Sequence, residues 1–89
     1  MARFVLWGTY CDHALEKRVP FREEHLERLR ELKKQGTLIT LGPTQDSTHV
    51  FAVFESDSVD TVRALLEDDI YWKKGIWIHL DVYPWIQAF

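Results

Sequence analysis

Eighty-nine residues make one domain, spanning 1–89, long enough to bury a single modest core and too short for two. Hydrophobic residues at 46%, charged residues at 28% and a net charge of −3 with no basic block argue against nucleic acid and anionic membrane as partners. No stretch approaches the roughly 18 apolar residues of a membrane-spanning helix, Arg3 interrupts the start where a signal peptide would need an apolar run, and a single Cys11 cannot form an internal disulfide, so a cytoplasmic chain is expected.

Residues 3–10, Arg-Phe-Val-Leu-Trp-Gly-Thr-Tyr, are short, β-branched and aromatic, which predicts a strand. Val5 and Trp7 would share one face and Phe4 and Leu6 the other, so both faces need cover. Cys11 to Ala14 break the pattern and predict a loop or a single helical turn as far as Arg18. The main helix is expected from Val19 to Gly36, with Pro20 in its first turn and Gly36 just past its end. Advancing by about 100° per residue places Arg18, Arg22, His25, Leu29 and Leu32 in one stripe. Water takes the other side, with Glu23, Glu24, Glu27, Arg30, Glu31 and Lys34. Glu24 and Arg28 are spaced for an i,i+4 pair.

The inward stripe is therefore leucine in its C-terminal half and Arg-Arg-His in its N-terminal half. Guanidinium and imidazole groups are costly to bury without partners. A lone histidine on an apolar face is most often a hydrogen-bonded core residue, but two arginines beside it favour a pocket that takes an anionic ligand.

Residues 37–41 predict a second strand, stopped by Gly42-Pro43 or left at a sheet edge, because Pro43 cannot donate to a ladder. Asp46-Ser47 predicts a turn, and residues 48–54 a third strand, again apolar on both faces. Asp57 is the expected N-cap of a second helix with Val59, Val62, Leu65 and Leu66 inside. Asp68-Asp69 ends it and opens a short turn over residues 70–74, closed by Gly75. A fourth strand is expected over residues 76–83, with Ile76, Ile78, Leu80 and Val82 on one face and Pro84 as its stop.

The order β-α-β-β-α-β is the ferredoxin-like arrangement: an α+β fold with a four-stranded antiparallel sheet and two helices on one face. A second copy packed against the open face is the simplest cover for the two-sided strands, which predicts a homodimer. The four tryptophans, Trp7, Trp72, Trp77 and Trp85, are expected in the core and at that interface. No three-ligand metal set appears, since His79-x-Asp81 and Cys11-x-His13 each offer only two ligands, and no Gly-rich phosphate loop is present. Neither a metal nor a cofactor is expected.

Arg18, His25, Leu29, Gly36, Gly42-Pro43 and Asp46, followed by an Asp-x-Tyr segment and a Gly-aromatic strand, resemble the YCII-related (YciI-like) family over essentially the whole chain. The resemblance implies a ferredoxin-like fold paired into a dimeric α/β barrel. It also implies a catalytic His-Asp dyad, here His25 and Asp46. The chemistry it implies is elimination of halide from hydroxylated aromatics, or isomerisation. Where the family has Asp-Pro-Tyr, this chain has Asp69-Ile70-Tyr71. On this reading His25 shuttles a proton, Asp46 orients its ring, Arg18 and Arg22 hold an anionic oxygen of a small ligand, and Asp69 and Tyr71 lie on the pocket rim. The rival readings are a non-catalytic ligand-binding module and a pure assembly domain.

Overall fold

A computed structural model describes residues 2–89. Four strands carry the chain: β1 (Ala2–Tyr10), β2 (Leu38–Pro43), β3 (His49–Ser56) and β4 (Trp77–Trp85). They form one sheet in the order β2-β3-β1-β4, with β1 antiparallel to both of its neighbours and β2 antiparallel to β3. The helices are α1 (Ala14–Lys17), α2 (Arg22–Lys34), α3 (Val59–Glu67) and α4 (Ile70–Lys73), with a 3-10 turn at Val19–Phe21 before α2. The chain therefore has the ferredoxin-like topology that its element order predicts.

Register decides which side chains meet the helices. In β1, Phe4, Leu6, Gly8 and Tyr10 alternate onto one face, opposite Phe54, Ala52 and Val50 of β3. These residues, with Leu32 of α2, Val62 and Leu66 of α3 and Tyr71 of α4, make the core. Burying a side chain the size of Leu6 or Phe54 contributes roughly 1.5–3 kcal/mol each. On the other face lie Val5, Trp7, Phe51, Val53, Tyr83 and Trp85, and of these Trp7, Phe51, Tyr83 and Trp85 remain exposed.

Local readings differ from this structure at several places, one of them Pro84, which does not stop the fourth strand but pairs with Phe4 inside it. The main helix is preceded by the 3-10 turn, so Arg18 caps α1 instead of lying on α2. Ser58, not Asp57, caps α3, its hydroxyl accepting from the Thr61 N–H at 3.2 Å. The second strand runs on through Gly42 and Pro43, which the sheet edge tolerates because β2 has no neighbour on its outer side. In β4 a bulge lies where Thr9 pairs with His79 and Tyr10 with Trp77. The extra residue, Ile78, is pushed out to 56% exposure, and Trp77 takes the inward position expected for it.

Candidate functional site

His25 sits in the second turn of α2, on the side that meets α4, and only 3% of it is exposed. Its Nδ1 lies 2.8 Å from Oδ1 of Asp69, which is itself 1% exposed. An ionised carboxylate can only accept, so the ring donates from Nδ1 and its Nε2 is left as the free nitrogen. Nε2 has no hydrogen-bond partner among the described residues. The same Asp69 Oδ1 accepts the Tyr71 N–H at 2.9 Å, so one oxygen caps α4 and orients the imidazole together. Arg28 reaches Asp69 Oδ2 at 3.6 Å and Asp68 at 3.7 Å, rather than Glu24.

Aromatic rings enclose the imidazole. Tyr71 stacks on it with centroids 3.6 Å apart and planes 8° from parallel, and Trp77 meets it edge-on at 5.2 Å. Burial pushes the Tyr71 phenol above its usual 10.0, with the nearby Arg18 charge the largest opposing influence and Arg22 a smaller one. Arg18 is half-buried and Arg22 exposed. Neither is joined by an ion pair to a carboxylate among the described residues. Both charges oppose the upward shift of the Tyr71 phenol, the ring that stacks on His25.

Of the residues singled out from the sequence, the structure brings His25, Asp69 and Tyr71 into contact, and the charges of Arg18 and Arg22 act on the Tyr71 phenol. It does not bring Asp46 to His25. Asp46 is exposed in the turn between β2 and β3, where its Oδ1 accepts from Thr44 Oγ1 at 2.7 Å, Thr48 Oγ1 at 2.8 Å and Thr48 N–H at 3.1 Å. The hydrogen bonds from Thr44 and Thr48 hold its carboxyl at about 2, well below the ordinary 3.8. An acceptor saturated by its own turn has no reason to fold back on a distant helix. Asp69 takes the place expected for Asp46.

Asp46 instead borders an open cleft of about 530 Å³ at the end of the sheet, shared with Tyr10, Cys11, Ala14 and His49. Two members of the His25 cluster, Tyr10 and Trp77, were not read from the sequence as site residues. Both sit at the β4 bulge, which no periodicity reveals. Among the described residues no cluster of three or more His, Cys, Asp or Glu side chains has the arrangement of a metal site. No helix among the described residues is long and apolar enough to cross a membrane.

Fold and site together define a ferredoxin-like α+β protein with a buried His-carboxylate pair stacked on a tyrosine. The family model for the YCII-related domain matches residues 2–86, and the chain belongs to that family. It is 30% identical to Protein YciI of Escherichia coli O6:H1 and of Shigella flexneri over 96 aligned residues, covering 97% of this chain and 98% of each relative. An uncharacterised protein of Haemophilus influenzae is 26% identical over 98 aligned residues. Among solved structures, 5-chloro-2-hydroxyhydroquinone dehydrochlorinase from Burkholderia phenoliruptrix AC1100, in complex with 2,5-dihydroxybenzoquinone, superposes with a TM-score of 0.83 at 25% identity. That match covers 97% of this chain and 95% of the other.

Proposed function

We propose that this protein is an enzyme that moves a proton on a small hydroxylated or anionic ring compound, in an elimination or an isomerisation. One observation carries the reading: the His25–Asp69 hydrogen bond of 2.8 Å, with the imidazole stacked on Tyr71, a ring on which the Arg18 and Arg22 charges act. His25 Nε2 is the base and then the acid, and Asp69 fixes the tautomer and steadies the imidazolium. Arg18 and Arg22 hold the oxygen on which negative charge develops. In an elimination, removal of a proton by Nε2 lets a halide leave carbon with the bonding pair, and the imidazolium later returns that proton to solvent. The dehydrochlorinase of matching fold supports this class of chemistry, and its bound quinone supports a flat, oxygenated ligand. The protein acts as a homodimer, with the exposed apolar face of its sheet covered by a second copy.

The test is chloride release from chlorinated hydroxyhydroquinones, with wild type compared to His25→Asn and Asp69→Asn. Turnover by wild type and a loss of roughly 10²–10⁴ in His25→Asn are expected. A second reading, a ligand-binding module without turnover, draws on how deeply the His25–Asp69 pair is sealed. Binding of 2,5-dihydroxybenzoquinone with no chloride release from any substrate would favour that module.

A further inference from the structure

Among the described residues Asp69 is the only buried carboxylate, 1% exposed. A sealed anion is costly unless hydrogen bonds and a cation answer it. Its Oδ1 takes two donors, the Tyr71 N–H and the His25 ring. Its Oδ2 makes no hydrogen bond and faces the Arg28 guanidinium, with Nη1 at 3.6 Å.

Arg28 is half-buried, and its second neighbour, Asp68 at 3.7 Å, is exposed and has Lys73 closer, at 3.1 Å. Apart from His25, no other cationic side chain is ion-paired to Asp69 among the described residues. Burial pushes the Tyr10 and Tyr71 phenols above their usual 10.0, so neither brings a second negative charge at neutral pH. His25 and Arg28 stand three residues apart on α2, the spacing that places two side chains on one face of a helix. They share one carboxylate, an oxygen to each.

This sharing decides the state of the imidazole. With Arg28 in place, guanidinium and carboxylate balance each other, and His25 donates from Nδ1 while remaining uncharged. Nε2 then keeps the lone pair that a base needs. Without Arg28, the sealed carboxylate is balanced only if His25 takes up a proton, and that proton occupies Nε2. We propose that Arg28 is a positioning residue of the site, holding Asp69 as a charge-balanced acceptor so that His25 stays an uncharged base. The proposal rests on the proton-transfer reading given above and names the residue that keeps its base free of a proton.

The ring nitrogens of the histidines are read by NMR at neutral pH, with His25 assigned by the signals missing from His25→Asn. In wild type, Nδ1 is expected in the protonated range and Nε2 in the bare range. In Arg28→Met the Nε2 resonance should move to the protonated range, and Arg28→Lys, which keeps the charge, should restore the wild-type pattern. Combining Arg28→Met with Asp69→Asn removes the charge to be balanced, and the imidazolium pattern should disappear. Chloride release from chlorinated hydroxyhydroquinones should fall in kcat by about tenfold or more in Arg28→Met, with KM nearly unchanged, because losing one charge partner leaves that much less of the bare base. A bare Nε2 in Arg28→Met overturns the proposal. A doubly protonated His25 in wild type does so too, and that measurement needs no variant to fold. Lowered melting temperatures in Arg28→Met and Arg28→Lys alike, with the wild-type nitrogen pattern in both, overturn it by showing a surface pair that only stabilises. Chloride release lost in His25→Asn but kept in Arg28→Met removes Arg28 and leaves the enzyme reading standing. A shifted Nε2 in Arg28→Met with no chloride release from wild type removes the enzyme reading and leaves Arg28 its hold on the imidazole.

Discussion

Asp69 Oδ1 accepts from a backbone N–H at 2.9 Å and from His25 Nδ1 at 2.8 Å, so Asp69→Ala removes a helix cap and the partner of a buried imidazole in one step. Losing a cap costs about 1 kcal/mol and orphaning a buried polar group about 1–3, which places the expected loss at roughly 2–4 kcal/mol in denaturant unfolding. Asp46→Ala breaks only an exposed turn and should cost clearly less. Equal losses in the two variants would contradict the assignment of Asp69 as the partner of His25. The Asp46 carboxyl makes its own prediction with pH. Its folded value is depressed from 3.8 to about 2, so the turn is favoured above the unfolded value and loses that support as pH falls through about 2. The Thr48 amide, which donates to Asp46, should titrate with a midpoint near 2 by NMR. A midpoint near the ordinary carboxylate value would mean that the turn is open in solution. Sequence spacing located His25 because a helix has a fixed period. Spacing could not supply its hydrogen-bond partner, which lies 44 positions away on another element, and the family resemblance offered Asp46 in that place. The local clue was present in Asp69, an N-capping residue ahead of a short helix that ends at Gly75, where φ is +71°.

The elements themselves were readable where hydrophobic period and punctuation agreed. Gly36, at φ +82°, follows α2 in the left-handed conformation that a helix end favours in glycine, and the inner stripe of α3 includes the buried Val62 and Leu66. What the pattern does not carry is the extra residue in β4, since a bulge changes the face of every residue before it without altering composition. The bulge matters for function because it turns Trp77, instead of Ile78, toward His25. Close packing beside it is testable at Gly8. A Cβ there would lie 2.7 Å from Val50 Cγ1 and 3.2 Å from Leu80 Cδ2, where β3 and β4 flank the strand. Gly8→Ala is expected to cost about 1–3 kcal/mol through overpacking. Val50→Ala in the same chain should recover part of that loss by giving the new methyl room, and additive losses in the pair would show that the two sites do not touch.

For the whole molecule, the helices leave one sheet face uncovered, and its composition is that of an interface. Trp7 is 40% exposed and Phe51 42%, and they pair across β1 and β3, while Tyr83 and Trp85 extend the apolar surface along β4. Water-facing sheets alternate apolar-in with polar-out, and these central strands do not. An apolar face of this kind normally marks an association surface, and a self-complementary pair related by a two-fold axis is the simplest way to cover it. The expected outcome is a dimer by sedimentation at micromolar concentration. Phe51→Glu places a carboxylate in the middle of that surface, and on a two-fold axis each copy meets the other's charge. Phe51→Glu should therefore sediment as a monomer while keeping the far-UV circular dichroism of wild type, because Phe51 lies on the face away from the helices and contributes little to the core. Glu55→Gln lies on the same face at its polar end and should remain dimeric. If Phe51→Glu stays dimeric, the pairing uses another surface. If it unfolds outright, the open face is part of what makes a single chain stable.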